Sequence, residues 1–293
     1  MPIINCYEGP MKSIRFFILP VSLISALILS GCPIPEPLPI CPGQPDILRS
    51  TQILNAQSQA VRPVRASVNC RMEFSDADGK KHKEIFDAQL RFVPPEKLYA
   101  GGDKFGPIRF GSNETMFWLY VKPGMDAAFW GYRKDAQFCA EHFGFNPAYL
   151  SEAFGLVTLD GRWTINYSNG LDVLTRIGSG GAVEKRLYVE CCKYRIKRIE
   201  YFDKAGRCVV ALDLAGYRLV EDDFYVPADI KLYHYADDKT DSLLRLELNS
   251  IAVFKPTQAQ LTGKLFQPPS TKGFKNVYRL NEDCEFVPDT ERE

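Results

Sequence analysis

The sequence predicts a mainly β protein, a long antiparallel meander with a few helices lying in the curve of its sheet. The first observation is a period of two. Phe86, Ala88, Leu90 and Phe92 alternate with Asp87, Gln89 and Arg91, and Leu244, Leu246 and Leu248 with Arg245, Glu247 and Asn249. That pattern makes a strand with one buried face. The second is the spacing of turn signals: Asp78-Gly79, Gly101-Gly102, Pro123-Gly124, Lys204-Ala205-Gly206 and Ala236-Asp237-Asp238. Short turns of this kind join antiparallel neighbours. The third is a pair of runs, Met116 to Val121 and Ala127 to Tyr132, that are apolar on both faces. Strands of that composition must be covered on both sides.

The elements follow in order. Lys12 and Arg15 precede an uncharged apolar run from Phe16 to Gly31. The run is shorter than the roughly 20 residues of a membrane-spanning helix, and with its basic start it reads as a secretory leader over 1–31. Met11 is an alternative start. The tetrad Leu29-Ser30-Gly31-Cys32 resembles the lipobox of bacterial lipoproteins. That resemblance implies cleavage before Cys32 and attachment of lipid to its thiol, the membrane partner of this chain. Six of the thirteen residues 33–45 are proline. Such a stretch cannot form a helix or complete a ladder. At about 3.1 Å per residue it makes a stiff spacer reaching on the order of 40 Å, so residues 32–45 read as a lipid-anchored tether.

Residues 46–293 are then expected to form one domain, long enough for a sizeable core. Asp46 can cap a first helix with Ile47, Ile53, Leu54 and Val61 on its apolar side, and Pro63 ends it. Strands begin at Val64. In "NPAYLSEAFGL", Asn146 to Leu156, the N-cap Asn146, Pro147 at the first helical position and Gly155 at the stop define a short helix. Its apolar face is Tyr149, Leu150, Ala153 and Phe154. This helix is expected as the inner cover of the sheet, with Tyr149, Leu150 and Phe154 as a lid, or else as an ordinary surface helix over a sheet edge. The cluster Phe117, Trp118, Tyr120, Phe129, Trp130 and Tyr132 reads first as core, and Trp118, Tyr120 and Trp130 are candidate lining of an apolar cavity beneath that lid.

Composition and motifs exclude more than they assign. The chain has 36 basic and 36 acidic side chains, and loss of Lys12, Arg15 and Glu8 with a leader changes the balance by only one. No field exists to attract nucleic acid. His82, His142 and His234 lack metal-ligand spacing, so no metal is expected. No Gly-x-Ser-x-Gly elbow is present. "GSGG" at 178–181 lacks the end of a phosphate loop and reads as a turn. The stretch from Asp76 lacks the later ligands of a calcium loop and reads as a hairpin turn. Neither catalytic residues nor cofactors are expected, and the chain does not read as an enzyme. Besides Cys32, the processed chain holds Cys41, Cys70, Cys139, Cys191, Cys192, Cys208 and Cys284. The number is odd, so at least one stays free or pairs between chains. The Cys191-Cys192 pair reads as a turn or strand end.

The closing stretch "LFQPPSTKGFKNVYRL", Leu265 to Leu280, together with the leading helix, the meander and the mid-chain helix, resembles the LolA/LolB superfamily of lipoprotein carriers. The matched features are Leu265-Phe266-Gln267-Pro268-Pro269 and the strand Val277-Tyr278-Arg279-Leu280. The stretches Phe110 to Val121 and Arg195 to Leu214 are similar to LolA-like lipoproteins of planctomycete type. The resemblance implies an incomplete, half-open β-barrel with helices covering the concave side and an apolar cavity for acyl chains. It places no functional residue on an individual position. Two functions follow as expectations. One is a lipid-anchored envelope lipoprotein, facing the periplasm from the outer rather than the inner membrane, that binds lipid or lipoprotein acyl cargo. The other is a structural or interaction lipoprotein of the envelope using the same fold without carrier activity.

Overall fold

The computed structural model describes residues 41–75, 79–103, 106–139, 146–236 and 239–290. The leader expected over 1–31, Cys32, the greater part of the tether and the start of the Asp76 turn lie outside the described residues. The chain enters through a first helix, Ile47–Gln59 (α1), whose N-cap Asp46 accepts a hydrogen bond from the Arg49 amide at 2.8 Å. Ser50, Leu54 and Ser58 form its buried stripe, one helical turn apart. It stops short of Pro63, and the period switches to two at Val64.

Six strands follow: Val64–Ser75 (β1), Lys81–Val93 (β2), Lys97–Asp103 (β3), Pro107–Ser112 (β4), Met116–Val121 (β5) and Ala127–Tyr132 (β6). Two short helices, Arg133–Phe138 (α2) and Pro147–Ala153 (α3), interrupt the meander. It resumes with Trp163–Ser168 (β7), Leu171–Ile177 (β8), Val183–Glu190 (β9), Arg195–Phe202 (β10) and Cys208–Ala215 (β11). A hairpin of Arg218–Glu221 (β12) and Phe224–Val226 (β13) stands apart as its own two-stranded sheet. Asp229–Ala236 (β14), Lys239–Leu248 (β15), Ala252–Val253 (β16), the helix Gln258–Thr262 (α4), Asn276–Leu280 (β17) and Phe286–Pro288 (β18) complete the chain.

All strands but the hairpin join one sheet in the order β18-β17-β6-β5-β4-β3-β2-β1-β15-β14-β11-β10-β9-β8-β7, with β16 beside β1. The sheet is open rather than closed into a barrel. Its pairs are antiparallel, except that β17 lies parallel to β6. The alternation read from the sequence sets which face is buried: Val64, Ala66, Val68, Cys70 and Met72 of β1 face the main core with Phe86, Ala88, Leu90 and Phe92 of β2 and Leu244, Leu246 and Leu248 of β15. The intervening positions carry charge ladders, such as Arg245 to Asp229 at 3.0 Å and Arg198 to Asp213 at 2.7 Å.

One expected turn is absent. Gly101 and Gly102 lie within β3, paired with β2 and β4. A Cβ on Gly102 would come within 2.0 Å of the Asp87 carbonyl oxygen. Glycine is needed there for close strand approach, which mimics a turn signal in the sequence. The "GSGG" segment does form the turn between β8 and β9, where the Gly178 amide bonds to the Ala182 carbonyl at 2.9 Å. Two disulfides close long loops, Cys41–Cys192 and Cys139–Cys284, and Cys70, Cys191 and Cys208 remain thiols. Cys191 and Cys192 follow the end of β9.

Candidate functional site

The double-sided strands β5 and β6 are covered as their composition requires, but by different segments on each face. On one face Trp118, Tyr120, Ala128 and Trp130 form a cluster of their own with Met116, Phe274 and Val277. Its lid is the carboxy-terminal stretch. Tyr120 donates from its hydroxyl to the Pro269 carbonyl at 2.7 Å, and Trp130 Nε1 donates to Asp289 at 2.8 Å. On the other face Phe117 packs with Ala136, Cys139 and Leu280, fastened by the Cys139–Cys284 disulfide. The expectation that α3 covers Trp118, Tyr120 and Trp130 is therefore corrected. These three face away from it, because β5 alternates and the odd residues Leu119 and Val121 are the ones that meet the main core.

α3 itself is built as its sequence indicates. Asn146 Oδ1 accepts from the Ala148 amide at 2.9 Å, Pro147 opens the helix, and Gly155 leaves it at φ +100°. Tyr149, Leu150, Ala153 and Phe154 are buried in the main core. Phe154 stacks on Phe92 with centroids 4.8 Å apart, and Tyr149 meets the ring of Tyr201 at 4.4 Å. A helix this short does not hold by itself, so packing and polar contacts fix it. Glu152 supplies the latter: its Oε2 accepts from both Lys185 Nζ on β9 and the Tyr201 hydroxyl on β10. Burial pushes the Tyr201 hydroxyl well above its ordinary pKa, and the adjacent Glu152 charge adds to the shift. The three groups satisfy one another and latch the helix to the sheet.

α1 docks by a second polar cluster. The Tyr194 hydroxyl lies 2.6 Å from Ser50 Oγ and 3.1 Å from Asp172 Oδ2, and the same carboxylate oxygen accepts from the Gln44 amide at 2.9 Å. Asn55 clamps the segment after α3, accepting from the Leu159 amide at 2.8 Å. The β12–β13 hairpin is tied to the chain just after α1 by Arg62, which pairs with Glu221 at 2.7 Å and Asp222 at 3.0 Å.

Between α1, the end of α3, the edge of β10–β11 and this hairpin lies a cavity of about 270 Å³. Its walls are mainly apolar: Leu54, Val61, Phe154, Ile196, Leu214 and Phe224. Tyr217 and Tyr225 add aromatic surface, and Glu152, Arg195 and Asp223 add charge. Of the six residues expected to line or cover a cavity, Phe154 does so, while Tyr149 and Leu150 support it from the core below. The contribution of Tyr217, Phe224, Tyr225 and Arg195 is not visible in the sequence, since they come together only through the folding back of the hairpin. Cys32 lies outside the described residues. Among the described residues no three His, Cys, Asp or Glu side chains converge as metal donors.

The arrangement defines a class, an open antiparallel sheet with α1 and α3 packed against its main core and a small, mainly apolar cavity beside them. The chain is similar in fold to solved structures from lipoprotein-sorting and LolA-superfamily proteins. One is a domain described as an outer membrane lipoprotein-sorting protein from Vibrio parahaemolyticus, with 12% identity, 73% of this chain and 95% of that chain covered, and a TM-score of 0.46. Another is a LolA superfamily protein from Nitrosomonas europaea, with 11% identity, 72% and 97% covered, and a TM-score of 0.45. A DUF1329 family protein from Desulfovibrio piger shows 11% identity, 75% and 99% covered, and a TM-score of 0.49. No family profile matches the chain, and no curated protein matches it.

Proposed function

We propose that the chain is an envelope lipoprotein, anchored through lipid on Cys32, that accepts an acyl chain in the cavity beside α3 and works in lipoprotein localisation. The observation that carries this reading is the cavity of about 270 Å³ with mainly apolar walls, enclosed by short elements rather than by the sheet alone. Small-molecule sites usually span about 300–1,000 Å³. A space of this size suits one short chain, and a cargo with several chains requires α3 to move. Glu152 makes two charge-assisted contacts, so releasing both costs about 3–6 kcal/mol. Each methylene that enters the apolar space returns about 0.8 kcal/mol. About four to eight methylenes offset this polar latch, and the rest of an acyl chain must replace the packing of Tyr149, Leu150 and Phe154.

Two measurements test the reading. Mass analysis of the processed amino terminus is expected to find diacylglycerol on Cys32, and an unmodified cysteine or cleavage elsewhere overturns the anchor. Titration with a fluorescent fatty-acyl probe is expected to saturate and to weaken severalfold on Phe154→Ala. A folded wild-type protein that ignores the probe overturns acyl binding and leaves a structural role in the envelope.

A further inference from the structure

The cavity carries one side chain whose chemistry an apolar tail does not use. Arg195 begins β10 and lines the cavity wall. Its guanidinium carbon lies 3.9 Å from the centroid of the Tyr225 ring, another wall residue. Its Nε is buried and has no hydrogen-bond partner. Among the described residues no carboxylate is within ion-pair distance of it. The two acids on the same wall do not meet its need: Glu152 is taken by Lys185 and Tyr201, and Asp223 is exposed on the hairpin. Arg195 as a whole is part-buried, but a buried N–H without an acceptor is costly, so a cavity that keeps one is suited to a ligand that supplies the acceptor. A guanidinium seated over an aromatic ring keeps its planar fork of donors, which matches a carboxylate or a phosphate.

We infer that the cavity takes a single-chain amphiphile with an anionic head, the head bound by Arg195 and the tail lying against Leu54, Phe154 and Leu214. The inference rests on the acyl-binding reading above and narrows it. Size favours one chain: at about 270 Å³ the space lies near the lower limit of small-molecule sites. The chemistry is shared by a free fatty acid and by a phosphate-headed single-chain lipid, and the ligand series below separates them.

The test is calorimetric titration of the full chain with decanoate, decyl phosphate and decanol, which share a tail and differ in head. The wild type is expected to bind at least one of the anions about tenfold or more tightly than decanol, and the tighter of the two names the head. Arg195→Gln is expected to remove that preference, read as the ratio of anion to decanol affinity within the variant, so that a general change in the wall cancels. Arg195→Lys, which keeps the charge and loses the fork, is expected to lower the preference severalfold, and it carries the test should the glutamine variant fail to fold. An anion preference that neither substitution lowers overturns the assignment to Arg195. Equal binding of all three by the wild type overturns the anionic head alone. Binding of none overturns the acyl-binding reading together with this inference.

Discussion

The two ends of the sheet solve the same problem differently. Around β5 and β6 both faces are apolar, and the chain covers each with its own carboxy-terminal segment, adding a disulfide on one side. Around β10 and β11 the cover is a seven-residue helix and a detached hairpin, and it leaves a cavity. The first end is filled by side chains of large volume held by strand pairing. The second is held by the buried Tyr149, Leu150, Ala153 and Phe154, by the Glu152 contacts and by surface ion pairs. Among the described residues no disulfide staples its helix, and the cover leaves space where the first end is filled.

Four experiments break or sharpen this contrast. The largest effect is expected from Trp118→Ala, at a site that is fully buried. It should cost about 3–5 kcal/mol in denaturant unfolding while leaving acyl-probe binding per folded molecule unchanged. Loss of probe binding there would mean that the two ends are coupled. Replacing Cys139 and Cys284 together with alanine removes a link across 145 residues and should cost about 2–4 kcal/mol, again without an effect on the probe.

Glu152→Gln should cost less, about 1–3 kcal/mol, because Lys185 keeps an acceptor but loses its counter-charge in a largely buried setting. Here the probe should bind faster, since the helix is released more readily, and stopped-flow fluorescence would show it. The smallest effect concerns the thiols, and it leaves stability untouched. Burial pushes Cys70 up to about 12 and Cys191 to about 11, the latter helped by the nearby Asp172 charge. Both stay protonated until pH approaches those values, so maleimide at about pH 8 should label Cys208, the only thiol with partial exposure among the described ones, well before either. Early labelling of Cys191 would show that the α1 docking cluster opens in solution.

The strands, the two helix starts and the need for double cover at β5–β6 were legible because they are local. Period-two burial, Asp46 and Asn146 as caps, and Pro147 at the first helical turn each depend on a few adjacent residues. The partner in a contact is not local. Nothing near Trp118 or Tyr120 indicates that Pro269 and Phe274 will lie over them, about 150 residues away. Arg195 sits in "RIKRIEYF", where charges at alternate positions look like an ordinary solvent face. Only the folding back of the hairpin puts Tyr225 against it. Gly101-Gly102 misled for a related reason: close approach of two strands and a tight turn select the same residue.

The Cys41–Cys192 bridge has a mechanical consequence. The chain arrives from residue 40 and is fastened at once to the turn after β9, with the Gln44 amide held on Asp172 just beyond. A pull applied along the incoming segment is therefore carried into the long sheet at Cys192 and reaches α1 only as slack. The helix that walls the cavity is shielded from load. Cutting that bridge would turn a pull on the incoming segment into a force that peels α1 from the sheet.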